Sequence, residues 1–120
     1  MENNIEINFR NENIKSRIPE GSSINGDYKC STGLLVEGEL KGGSYTVTNG
    51  TLIVMESGRI SGRLNVRGDL YVLGVVECES GVVEGVVQLG ATGKMYGSLK
   101  ADAYKVHAGG ILRGSFGRRD

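Results

Sequence analysis

The sequence predicts an all-β, single-domain parallel β-helix, a β-solenoid of triangular coils of about 18 residues, and three observations carry that prediction. The first is where glycine falls. All twenty glycines of the 120-residue chain lie between Gly21 and Gly117, and no glycine-free stretch in that span exceeds eleven residues, 98–108. Each interior glycine costs a helix about 1 kcal/mol, so the body is not a set of packed helices. The second is spacing: Gly26, Gly38, Gly50, Gly62, Gly68 and Gly74 are separated by 12, 12, 12, 6 and 6, and after one lost residue Gly85, Gly97 and Gly109 resume at 12 and 12. The third is that the apolar residues keep the same period of six. At 38% apolar residues the chain has the means to bury a core, and a single proline excludes collagen.

Cut in sixes from Ile24, the chain gives INGDYK, CSTGLL, VEGELK, GGSYTV, TNGTLI, VMESGR, ISGRLN, VRGDLY, VLGVVE, the five-residue CESGV, VEGVVQ, LGATGK, MYGSLK, ADAYKV, the five-residue HAGGI, and LRGSFG. The first position is apolar in 13 of these 16 units, the fifth in 12, and the third is Gly, Ala, Ser or Thr in 15. Side chains alternate along a strand, so positions one, three and five share the inner face and the mostly polar even positions face out. A meander of hairpins would need turn pairs such as Asn-Gly at regular strand ends, which this pattern, repeated without long loops, does not follow. Three six-residue sides instead close a triangular coil, and sixteen sides make about five coils. The small third position is placed where the chain turns or where inward side chains meet. VMESGR, whose Glu56 does not belong inside, and the two shortened units are expected to be corner loops or bulges. The expected organisation is a flexible tail over 1–23, the β-helix over 24–117, and a short C-terminal tail over 118–120.

Fourteen Lys and Arg balance fourteen Asp and Glu, which leaves no electrostatic drive toward nucleic acid or an anionic membrane. The longest apolar run, Leu70–Val76, is seven residues, and the opening MENNIEINFR has no signal-peptide core, so a cytoplasmic location is expected. Cys30 and Cys78 both take first positions and read as small buried hydrophobes, reduced, on different walls and about 13 Å apart in height, beyond disulfide reach. LGATGK lacks a Ser or Thr after its lysine and a helix to follow, so no nucleotide site is expected. One histidine, His107, cannot build the three-histidine zinc site known on some β-helices, and it reads as a structural or corner residue. No catalytic residue, cofactor or metal is assigned. The rival from another class is an acyltransferase of the left-handed β-helix kind, a trimer using His107 as general base. Its hexapeptide sets the small residue directly after the aliphatic one; here it comes two positions after.

The signature of an apolar residue, any residue, glycine, any residue, apolar occurs as INGDY (24–28), VEGEL (36–40), ISGRL (60–64), VEGVV (83–87), MYGSL (95–99) and LRGSF (112–116). With GSLKADAYKV and the closing GGILRGSF, the stretch 81–116 resembles the bactofilins, a bacterial polymer-forming cytoskeletal family. The resemblance implies a right-handed parallel β-helix that polymerises end to end without nucleotide, scaffolds other proteins and often attaches to the inner face of the membrane through an N-terminal tail. Solenoid physics reaches self-association separately: an uncapped coil end exposes unpaired backbone groups and one layer of core. The expected polymerisation interface is Ile24 and Tyr28 at one end and Ile111, Leu112 and Phe116 at the other, with too few residues after Gly117 for a capping helix. In the tail, Ile5, Ile7, Phe9 and Arg10 form, by resemblance, a membrane-targeting or partner-binding peptide. The competing reading is a leader folded over the N-terminal coil, favoured by a net charge of −1 over residues 1–20, which lacks polybasic support for an anchor.

Overall fold

Eleven strands pair in parallel as one sheet wound around three walls, in a computed structural model that describes residues 14–119. They are β1 (Ile14–Ile18), β2 (Ser23–Asn25), β3 (Tyr28–Cys30), β4 (Gly33–Val36), β5 (Glu39–Val47), β6 (Leu52–Val54), β7 (Arg59–Val66), β8 (Leu70–Val72), β9 (Val75–Leu89), β10 (Lys94–Val106) and β11 (Ile111–Arg118). Wall 1 stacks β1, β4, β6, β8 and the ends of β9 and β10. Wall 2 stacks β2 with the opening residues of β5, β7, β9, β10 and β11; wall 3 stacks β3 with later parts of the same long strands. The chain is thus a parallel β-solenoid of about 6 turns.

Burial follows the strand alternation. Leu34, Leu52, Leu70 and Val87 align in one column of wall 1, and Val36, Val54, Val72 and Leu89 in the next, all at 1% exposure or less. Burying each such side chain contributes about 1.5–3 kcal/mol, which the long, loop-poor coil needs to offset the ordering of its backbone. On the outside, successive coils are linked by ion pairs such as Arg17 with Glu37 and Arg59 with Glu77. Exposed pairs of this kind contribute about 1 kcal/mol at most.

The regular 18-residue coil is an average. Leu34, Leu52 and Leu70 follow at intervals of 18, but Leu40 pairs with Ile60 20 residues on, Ile60 with Val76 after 16, and Val76 with Met95 after 19. The variation sits largely at the corner between walls 1 and 2. There Met55–Gly58 makes a four-residue turn closed by the Gly58 N–H donating to the Met55 carbonyl at 2.7 Å, whereas one coil later Leu73 and Gly74 pass the corner directly. The short corner nests against the long one: a Cβ on Gly74 would lie 2.3 Å from the carbonyl oxygens of both Met55 and Gly58. VMESGR is therefore a corner loop with Glu56 exposed in the turn, as expected.

Several expectations are corrected. The described residues are already paired at Ile14, where β1 joins β4, so residues 14–23 of the expected tail belong to the coil, which has about 6 turns instead of five. Ile18, Ile24 and Tyr28 are the reason: β1 to β3 supply an inner layer that the count from Ile24 cut in half. At the other end Arg118 still pairs, with Ala101. In GGSYTV an extra residue, Gly42, bulges out at φ +80°, so Tyr45 and Val47 point inward where the hexad put Gly42 and Thr46. In ADAYKV a register shift turns Tyr104 inward in place of Lys105. Ile111 aligns with Lys94 on the outer face while its neighbour Leu112 aligns with buried Met95, so Ile111 is not an inward residue.

Cys78 also changes column. It pairs with Gly62 and Gly97 at the corner of walls 2 and 3, and it fills the space left by Gly81, whose added Cβ would lie 2.9 Å from its Sγ. Both cysteines are free; Cys78 is buried and Cys30 half-buried. Burial pushes the Cys78 thiol up from 9.0 to about 11. Its folded-state pKa lies above the unfolded value, so this stabilisation is complete below pH 9 and is lost as pH rises through about 11. Chemical denaturation between pH 8 and pH 11 is expected to show a fall on the order of 2 kcal/mol that Cys78→Ala flattens. Native thiol labelling is expected at Cys30 first, with Cys78 reacting only on unfolding.

Candidate self-association surfaces

Most inner columns run through the coils and stop with an apolar side chain; the exceptions are Ser16, which ends the Leu34 column at the N-terminal end, and Arg118, which ends the Ala101 column at the C-terminal end. At the N-terminal end Ile24 stacks on Leu40, Tyr28 on Tyr45 and Cys30 on Val47. At the C-terminal end Leu112 stacks on Met95, Phe116 on Leu99, Tyr104 on Val87 and Val106 on Leu89. The inner members Leu40, Tyr45, Met95 and Leu99 are at most 1% exposed, while the terminal ones are only partly covered and Val106 is 47% exposed. The difference comes from position alone, since each terminal side chain lacks a coil on one side.

The backbone is open at the same places. Among the described residues β11 pairs only with β10, β1 only with β4, and β2 and β3 only with β5. Each end therefore presents a full turn of strand edge, a template for a further strand. Among the described residues no element covers either end.

The C-terminal layer is partly ordered by its aromatics. The rings of Tyr104 and Phe116 meet edge to face, centroids 6.2 Å apart and planes at 78°. The Tyr104 hydroxyl donates to the Gly117 carbonyl at 2.6 Å, tying the end of β10 to β11. These contacts hold Tyr104 and Phe116 beside Leu112 in the terminal layer. Arg119 brackets it with Asp102, Nε to Oδ1 at 2.9 Å.

Of the residues expected at the interface, the structure brings Leu112 and Phe116 together at one end and Ile24 and Tyr28 at the other; Ile111 faces outward beside them. Sequence reasoning missed Tyr104 and Val106. The signal was present: Lys105 in an inward column is a lysine with no partner there, and a shift of one residue places its two apolar neighbours inside. The tail residues Ile5, Ile7, Phe9 and Arg10 lie outside the described residues.

His107 sits at a corner, its N–H donating to the Leu89 carbonyl at 2.9 Å and its own carbonyl accepting from the Gly110 N–H at 2.9 Å. That backbone position continues the one held by Leu73 and Gly90 in earlier coils, and the His107 Nε2 is buried without a hydrogen-bond partner among the described residues. Among the described residues no group of three or more His, Cys, Asp or Glu gathers as a metal site, and no helix is long and apolar enough to cross a membrane.

A family model described as "Bactofilin: Polymer-forming cytoskeletal" matches residues 16–117. No curated protein and no solved structure matches the chain. The matched span opens inside β1 and closes inside β11, so it takes in both open coil ends.

Proposed function

Because the chain belongs to the bactofilin family of polymer-forming cytoskeletal proteins, we propose that it assembles without nucleotide into filaments by stacking coil on coil through its two ends. The observation that carries this reading is the pair of open ends, each with unpaired strand edges and a partly covered apolar layer. Covering four half-buried side chains at an end contributes about 1 kcal/mol each, and the continued strand ladder adds satisfied backbone hydrogen bonds. The interface residues are Ile24 and Tyr28 with Cys30 at one end, and Leu112 and Phe116 with Tyr104 and Val106 at the other.

The filament is a non-enzymatic cytoplasmic scaffold. Its outer walls, with alternating charges paired between coils, are the surface on which other proteins are recruited, and the N-terminal segment is the part through which it associates peripherally with the inner face of the membrane. The acyltransferase reading finds no support in His107, whose Nε2 is buried and has no hydrogen-bond partner among the described residues, away from solvent and from any acid or hydroxyl it would activate. Negative-stain microscopy of the purified chain without nucleotide tests the proposal: filaments are expected, unchanged by added ATP or GTP. Discrete trimers, or monomers at all concentrations, would remove it.

A further inference from the structure

The outer face of wall 3 carries charge of one sign. Its outward column reads Lys29, Thr46, Asn65, Val82, Lys100 through successive coils, and the column beside it reads Ser44, Arg63, Ser80. Lys29, Arg63 and Lys100 are exposed, and among the described residues none of them is in an ion pair. The carboxylates bordering this face are engaged elsewhere: Glu84 pairs with Arg67 and Asp102 with Arg119, while Asp27 accepts from the Ser44 N–H at 2.8 Å. Glu79 stands at the neighbouring corner, in a separate hollow with Glu77 and Tyr96. Wall 2 instead mixes its charges, Lys41 with Glu39 and Arg59 with Glu77.

The same face is hollow. A groove of about 460 Å³ runs across four successive coils between the two columns, and no Asp or Glu lines it. Register shifts before Gly43, Arg63 and Lys100 bend the strands as they enter this wall. Ser44, Ser80 and Ser98 on one rim are too short to fill the space. Val82 stands in the groove between Asn65 and Lys100, 37% exposed; apart from Val106 at the open end, it is the exposed large hydrophobic side chain among the described residues. The Arg63 Nε donates to the Ser44 hydroxyl at 3.0 Å, which lays the planar guanidinium along the rim.

We propose that the wall 3 groove docks an extended acidic segment of a partner protein, with carboxylates on Arg63 and Lys100 and an apolar side chain on Val82. The inference rests on the scaffold reading, in which the outer walls recruit other proteins, and names the wall and the chemistry of what it takes. Charge complementarity selects the partner: cations without competing carboxylates attract an anionic segment and disfavour a basic one. Spacing selects its shape. Arg63 and Lys100 lie two coils apart, about 10 Å along the axis, and an extended polyproline-type segment brings every third side chain to one side after about 9 Å. The Ser98 hydroxyl and the Asn65 amide are placed to hydrogen-bond the segment's backbone. A nucleic-acid strand fits less well, because the one aromatic residue at the groove, Tyr45, is buried inside the coil and offers no face for a base.

Fluorescence anisotropy of a short labelled peptide of repeating Glu-Glu-Leu, titrated with the full chain at low salt, tests the proposal. Binding is expected to weaken about tenfold in Arg63→Ser/Lys100→Ser, and as much in Val82→Asp. Arg113→Ser, which removes an outward cation of wall 2, is expected to bind as the wild type does. All these side chains face outward, so circular dichroism is expected to be unchanged. No binding by the wild type, or equal binding in the wild type and the Arg63/Lys100 double variant, overturns the proposal. An equal loss in Arg113→Ser overturns it as well, since the attraction is then general, and so does tighter binding of a single-stranded oligonucleotide of the same charge. Negative-stain microscopy of the same samples reads assembly separately: a groove that binds the peptide in a chain without filaments removes the filament reading and leaves this one standing.

Discussion

Replacing Leu112 or Phe116 with arginine is expected to abolish filaments and leave a folded β protein that sediments as a small species. Both side chains end inner columns at the C-terminal coil, stacked on Met95 and Leu99, and both are partly covered in the single chain. An arginine there keeps its charge in water while the end is free, so the monomer loses little. In a filament the same charge is sealed between two coils without a partner, a cost of several kcal/mol. The contrast between small cost in the monomer and large cost in the assembly makes the result informative. Circular dichroism and thermal melting check the fold, and sedimentation checks the assembly. Arginine at Ile111, which faces outward beside Lys94, is expected to leave filaments intact. Filaments that survive at both Leu112 and Phe116 would mean that this end is not an interface.

The second large effect is expected inside the coil. Gly97→Val should lower stability by roughly 3 kcal/mol or more, a fall of about 10 °C or more in Tm. Gly97 turns the corner between walls 2 and 3 at φ +112°, a backbone region that a β-branched residue avoids, and an added Cβ would stand 1.9 Å from the Cys78 carbonyl oxygen of the coil below. Backbone cannot yield there without breaking the ladder on either side. Gly42→Ala separates the two causes. Gly42 also has positive φ, +80°, but nothing lies within 4 Å of its Cβ position, so only the backbone term of about 1 kcal/mol applies. Similar losses for the two would show that crowding between coils contributes nothing.

Much of the fold can be read from the sequence because one physical constraint repeats. Each coil lies on the next at fixed spacing, so apolar and small residues recur at one interval, and Leu34, Leu52 and Leu70 hold that interval without error. The readings that went astray cluster where a corner absorbs an extra or missing residue. Thr46, Lys105, Val82 and Ile111 were assigned inward by counting through a bulge, and in each case the side chain or its neighbour carried a warning: a polar residue scored as core, or a shortened unit. The end surfaces were legible as ends, with Leu112, Phe116, Ile24 and Tyr28 in place. Tyr104 was not, because its side chain comes inside only after the register shift between Ala101 and Ala103.

The sequence by itself determined the architecture: a six-residue rhythm of apolar and small residues admits stacked parallel sides and excludes helices, hairpins and collagen, because side-chain alternation and glycine's missing Cβ are local properties. The tertiary structure alone decided that residues 14–23 belong to the coil and which way each slipped strand faces. Those depend on which residues are brought level from coils about 16 to 20 residues apart, and a shift of one position at a corner, nearly invisible in a periodic sequence, turns a side chain from core to surface.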